Sequence, residues 1–150
     1  MIHIVTADRD SGKTTFLRSL VDESFGGILS LSDEGKDNYY AYDIESGEKR
    51  LLMSSCPIGE SRIGRFYIAE DTFRWAEERV LSSLRKRIAI DEIGRLEVNG
   101  KGFHDALSHL IDIGDRDIYI AVRTSLVPDV IRAFRIGDYE CIHVENRMKE

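Results

Sequence analysis

Cysteine and proline are scarce: the 150 residues hold two of each, and Cys56 and Cys141 lie far apart. Two widely spaced thiols make neither a disulfide framework nor a metal motif. They suit a reducing compartment, so a cytoplasmic protein is expected. The four histidines form no i, i+4 pair, which leaves no zinc signature. Few prolines and no low-complexity tract argue against disorder. No apolar run approaches the roughly 20 residues that span a bilayer, and the first strand begins at once without a charged leader. We therefore expect neither a membrane nor a targeting segment. Positive charge is also in short supply, with 21 Lys and Arg against 27 Asp and Glu and a net charge of −6. That balance argues against nucleic acid as a partner. The one basic run, Arg85-Lys86-Arg87, reads as the cationic end of a helix.

What is present is ordinary globular composition, 42% hydrophobic and 32% charged, at a length that suits one domain over 1–150. Ile2 to Thr6 reads as a buried strand, and Lys13 to about Val21 as the helix after it. Gly26 to Leu29, Asn38 to Ile44 and Lys49 to Met53 read as strands, with a turn at Ser46-Gly47. Arg65 to Ile68 adds a short one. Asp71 or Thr72 is expected to cap a helix to about Lys86, with Phe73, Ala76, Val80 and Leu84 on its inner face. Ile88 to Asp91 is a second buried strand. Phe103, Ala106, Leu107, Leu110 and Ile111 share one helical face, which Gly114 closes. Ile118 to Val122, a helix opened by Pro128, and Tyr139 to Val144 complete the chain. Buried strands alternating with amphipathic helices require crossovers. The expected fold is thus α/β, a three-layer sandwich on a mainly parallel sheet. About 28–53 breaks the rhythm and is placed as an antiparallel hairpin insertion or edge extension.

The chemistry starts at Ala7-Asp8-Arg9-Asp10-Ser11-Gly12-Lys13-Thr14-Thr15, just after the first strand. This is the phosphate-loop pattern G-x-x-x-x-G-K-[ST] with Ala7 in place of its first glycine. A strand ends, a loop turns its N–H groups inward, and a helix points its positive end at the same spot. Residues 7–15 are the candidate nucleotide-binding loop. Lys13 supplies charge for the β and γ phosphates, and Thr14 a hydroxyl for Mg²⁺. Ala7 costs on the order of 1 kcal/mol if its backbone needs positive φ. With Asp8 and Asp10 adding negative charge, weaker nucleotide binding is expected than from a glycine-rich loop.

A second strand ends in Asp91-Glu92. In a parallel sheet, ligands bind at the carboxyl ends of strands, so both motifs fall at one edge. Asp91 is the candidate metal ligand beside Thr14. Glu92 is the candidate to polarise a water for in-line attack on the γ phosphate. Arg123 ends a strand at that edge and is a candidate γ-phosphate sensor. Trp75 is read as packing, and Arg132 and Arg135 as a solvated helix face.

Asp91-Glu92-Ile93-Gly94-Arg95-Leu96-Glu97-Val98 resembles the extended Walker B signature of the THEP family of nucleoside triphosphatases, close to D-E-I-G-x-M-E-L. Glu145-Asn146-Arg147 is similar to that family's terminal E-N-R, and Gly26-Gly27 and Ile63-Gly64-Arg65-Phe66-Tyr67 match in outline. The resemblance covers nearly the whole chain. It implies a RecA-like or AAA-like P-loop fold and Mg²⁺-dependent hydrolysis of ATP, GTP and other nucleoside triphosphates. Lys13 and Thr14 then bind phosphate and metal, Asp91 supports the metal and Glu92 activates water. Ile93, Gly94 and Glu97 match family positions, with a surface or helix-entry carboxylate the alternative for Glu97. Two other functions stay open. A nucleotide or small-molecule kinase would need an acceptor pocket and an arginine-bearing lid, and no lid segment is evident. An adaptor would bind nucleotide with little turnover. Base preference, oligomeric state and protein partners are not legible.

Overall fold

A computed structural model describes residues 1–7 and 12–144. Asp8 to Ser11 of the expected loop, and the E-N-R segment, lie outside the described residues. β1 (Ile2–Ala7) comes first, with its last four residues buried. Then follow α1 (Lys13–Leu20), β2 (Phe25–Ser32), β3 (Asn38–Asp43), β4 (Lys49–Ser54), β5 (Arg62–Ile63), β6 (Phe66–Ile68) and α2 (Glu70–Ser82). The second half holds β7 (Arg87–Ile90), α3 (Arg95–Val98), α4 (His104–Ile113), β8 (Asp117–Arg123), α5 (Val127–Ala133) and β9 (Tyr139–His143). The nine strands form one sheet in the order β5-β6-β4-β3-β2-β7-β8-β1-β9.

The stretch from β2 to β9 in that order is parallel, as the crossover helices demand. β3, β4, β6 and β5 continue the sheet antiparallel. The expected boundary near 28 shifts. β2 is parallel to β7 from Phe25↔Arg87 to Ile28↔Ile90, and antiparallel to β3 from Ile28↔Asp43 to Ser32↔Tyr39. Its first six residues are buried, so it belongs to the parallel core, and the extension begins at β3.

Two cores flank the sheet. On one face Phe73, Ala76 and Val80 of α2, Leu107 and Leu110 of α4 and Val130 of α5 pack on Ile28, Ile90 and Ile120. On the other, Leu17 of α1 packs on Val5, Leu29 and Ala121. Odd and even residues of each strand thus serve opposite layers. α1 lies over β1, β2 and β8.

Four expectations around α2 need correction. The helix starts at Glu70 after Ala69, with no side-chain cap; Asp71 pairs instead with Arg74. It also stops at Ser82, because Ser83 turns extended at φ −66° and ψ 136°. The Ser83 hydroxyl is drawn away, donating to Glu45 at 2.5 Å. Leu84, expected inside, swings out and is 93% exposed. The basic run therefore does not cap a helix: Arg85 pairs with Glu45 at 3.4 Å, and Arg87 opens β7.

Candidate active site

β1 ends at Ala7, fully buried and paired with Arg123 of β8. Ala7 is not among the residues with positive φ, so alanine carries no left-handed strain there. That removes the backbone argument for weak binding. The left-handed residue is Gly12, at φ 88°, which starts α1 with no side-chain cap. The start of a helix turns its first N–H groups outward, a ready arrangement for an anion. Lys13 follows at only 5% exposure. Thr15 is exposed on the first turn.

β7 delivers the acids. Asp91 is 2% exposed. Its Oδ2 accepts the Thr14 hydroxyl at 2.7 Å and the Ser30 backbone N–H at 3.0 Å. Its Oδ1 is buried and has no partner. Burial pushes the Asp91 carboxyl up to about 7, and the Glu92 charge adds to this; Thr14, Ser30 and Lys13 oppose it. Glu92 is exposed and takes a left-handed backbone at φ 64°. Such a conformation costs a glutamate roughly 1–2 kcal/mol. Glycine would be at ease there, so the side chain is what justifies the strain.

Lys13, Thr14 and Glu92 line one open cleft of about 430 Å³. The start of α1 and the tip of β7 therefore meet, as sequence alone required of any phosphate site.

The sequence matches a model of one protein family, described as NTPase, over residues 3–150. The chain belongs to the THEP-type nucleoside-triphosphatase family. It is 24% identical over 137 residues to the nucleoside-triphosphatase THEP1 of Thermotoga sp. (strain RQ2), covering 85% of this chain and 76% of that one. The crystal structure of THEP1 from the hyperthermophile Aquifex aeolicus superposes with a TM-score of 0.72 at 21% identity, over 95% of this chain and 89% of that one. The solution structure of a human cancer-related nucleoside triphosphatase gives 0.72 at 18% identity, over 98% and 90%. These likenesses establish the P-loop NTPase fold, an α/β sheet with parallel and antiparallel strands.

In this NTPase the other expected site residues have varied placements. Ile93 is a core residue whose N–H donates to Ala121 at 2.9 Å. Gly94 donates its N–H to Glu97 Oε1 at 2.8 Å, and Phe103 donates to Glu97 Oε2 at 3.0 Å. Glu97 is thus a helix-entry carboxylate, but one only 3% exposed. It fastens both ends of the 94–103 loop, and a Cβ built on Gly102 would lie 2.0 Å from Glu97 Oε2. Burial also drives its carboxyl up to about 7. Arg123 is exposed at the β8 end. Trp75 packs against the core, with the Arg50 guanidinium 4.2 Å from its ring. Arg132 pairs with Asp129 at 3.3 Å on an exposed face. Cys56 and Cys141 are free and exposed. Among the described residues no helix is long and apolar enough to cross a membrane.

Sequence reading missed Ser30, because a serine in a buried strand carries no signal until its backbone meets Asp91. It also missed the far wall of the cleft. There Arg18 of α1, Ser32 at the end of β2, and Lys36, Tyr39 and Lys49 line the same cleft. The β2–β3–β4 pairing brings all but Arg18 there.

Proposed function

We propose that this chain hydrolyses nucleoside triphosphates of the ATP and GTP type to the diphosphate and inorganic phosphate, with Mg²⁺. The observation that carries the reading is Asp91: a buried carboxylate holding Thr14 by one oxygen, with the other oxygen unpartnered. A buried acceptor without a partner is costly and calls for a ligand. The donor set suits magnesium, a hard cation that takes one or two protein oxygens and completes its shell with phosphate oxygens and water. Among the described residues no group of three His, Cys, Asp or Glu forms an all-protein cage, which fits that mode. Thr14 and Asp91 would hold the ion, which when bound neutralises charge on the β and γ phosphates.

The protein's own work is positioning and electrostatics. The start of α1 and Lys13 hold the phosphates. Asp91 fixes the Thr14 hydroxyl, so its direction is set before substrate arrives. Glu92, lifted into the cleft by its left-handed backbone, accepts a proton from the attacking water. A new P–O bond forms to the γ phosphorus as the β–γ bridging P–O bond breaks, and the bridging oxygen leaves with the diphosphate. Arg123 stands at the same edge to meet charge on the γ phosphate. Asp8, Arg9, Asp10 and Ser11 complete the loop in this reading. A cytoplasmic setting fits the two free thiols.

The test is Glu92→Gln. Phosphate release should fall at least about 100-fold, while Mg-nucleotide binding measured by calorimetry stays within about threefold. Retained turnover would remove Glu92 from the reaction.

A further inference from the structure

Thr6 puts a hydroxyl into an otherwise apolar part of the sheet. It is 4% exposed in β1, one residue before Ala7. Its strand partners are Val122 on one side and His143 on the other, and its carbonyl accepts the Val144 N–H at 2.8 Å. Ile4 and Val122, both fully buried, flank it on the same face. A valine would fill this position with the same shape, and only the hydroxyl would be lost. Thr6 Oγ1 lies 2.9 Å from Thr124 Oγ1, and the two share a hydrogen bond.

Thr124 opens a short 3-10 turn (Thr124–Leu126) directly after β8. A threonine at a helical start commonly caps it. Here the turn has no side-chain cap, and the Thr124 hydroxyl goes to β1 instead. The residue before it is Arg123, whose strand partner is Ala7. Val5 packs against Leu17 of α1, whereas Ile4 packs into the opposite core. Continuing that alternation, Ala7 and Arg123 fall on the face of α1, and Thr6 on the other. The backbone of Arg123 is therefore held twice, by its pairing with Ala7 and by the hydroxyl bond one residue later, from the face away from α1.

We propose that Thr6 and Thr124 are positioning residues that hold Arg123 toward the γ phosphate. They act through Arg123. The inference rests on the triphosphatase reading, in which Arg123 meets the charge on the γ phosphate as the β–γ bridging bond breaks. An arginine already in place stabilises that charge without being ordered during the reaction. Ground-state binding belongs to Lys13 and the start of α1, which the hydroxyl bond does not reach. Breaking the bond therefore lowers kcat and spares KM.

The experiment measures phosphate release against Mg-ATP concentration for the full chain, Thr6→Val, Thr124→Val, the double variant and Thr6→Ser. Thr6→Val is repeated in an Arg123→Gln background, with single-turnover rates to keep slow variants measurable. Thr6→Val removes the buried hydroxyl together with its need for a partner. It leaves the exposed Thr124 to water, so the variant folds and its melting temperature stays near that of the parent. Either valine should lower kcat about tenfold with KM within about twofold. The double variant should be no slower than the single ones, since all three lack the same bond. Thr6→Ser keeps the hydroxyl and should recover the parent kcat. Arg123→Gln should itself be slow, and Thr6→Val should cost nothing further on top of it. Unchanged kcat in Thr6→Val, losses that multiply in the double variant, failure of serine to rescue, or a further loss beyond Arg123→Gln overturns the assignment. Losses in KM and melting temperature that match the loss in kcat make the pair part of the fold and also overturn it. An active parent with indifferent variants removes this inference alone. A parent that releases no phosphate removes the triphosphatase reading and the inference with it.

Discussion

Asp91 and Glu97 are two carboxylates six positions apart, both nearly sealed from solvent and both pushed up to about 7 by burial. They differ in what their oxygens do. Glu97 spends one oxygen on Gly94 and the other on Phe103. Asp91 gathers Thr14 and Ser30 on a single oxygen and leaves the other bare. A saturated buried acid is part of the fold, and a half-saturated one is waiting for a ligand. Burial and pKa shift alone do not separate the two, although both are common guides to active sites. The count of hydrogen-bond partners does.

The largest effect that would break this contrast is on stability. Glu97→Ala strands the N–H groups of Gly94 and Phe103 and should cost about 3 kcal/mol. A melting temperature lower by about 10 °C is expected. Asp91→Asn should change stability by less than about 1 kcal/mol. The amide oxygen still accepts from Thr14 and Ser30, and no buried ion remains. If denaturant melts show equal losses, Asp91 is structural after all.

Next in size is the effect on turnover, where the order reverses. Asp91→Asn should lower phosphate release at least about 100-fold and raise the Mg²⁺ concentration needed for half-maximal rate. Glu97→Gln keeps one acceptor oxygen and should stay within about fivefold of the parent rate once folded. Similar losses for the two would show that Glu97 also governs where Glu92 stands.

A smaller effect follows from linkage. Each raised pKa means that the folded chain holds a proton that the unfolded chain has released. Stability should therefore fall as pH rises from about 4.5 through 7, by on the order of a few kcal/mol in total. Glu97→Gln should remove its own share of that slope at every nucleotide level. Mg-nucleotide should flatten only the share from Asp91, because a cation beside it favours the charged form. Denaturation at pH 5 and pH 8, with and without Mg-nucleotide, measures both shares. Nucleotide that flattened the Glu97 share as well would join the two carboxylates into one unit.

Much of this was legible in advance, because β1, β7 and β8 are continuous apolar runs and α4 keeps a clean helical stripe. The approach of Thr14 to Asp91 was legible because strand ends point to one edge. Other features were hidden for identifiable reasons. β2 joins two kinds of pairing, and no periodicity reports which neighbour a strand takes. Leu84 fits the helical face by spacing, but the Ser83 hydroxyl ends the helix first. Ser30, Lys36 and Lys49 lie on separate elements, so their meeting is a property of register rather than of motif.

The smallest effect concerns the position where sequence and backbone disagree. Glycine is the pattern's residue at position 7, yet Ala7 is a strand residue without positive φ, while Glu92 carries the left-handed strain. Ala7→Gly should therefore leave Mg-nucleotide affinity within about twofold and cost about 1 kcal/mol or less, from the added freedom of the unfolded chain. Glu92→Gly relieves real strain and should stabilise the chain while abolishing its turnover, as strain held for a functional side chain predicts. A tenfold tightening in Ala7→Gly would place the strain in the phosphate loop instead. The acidic tip of β7 would then lose its standing as the strained half of the site.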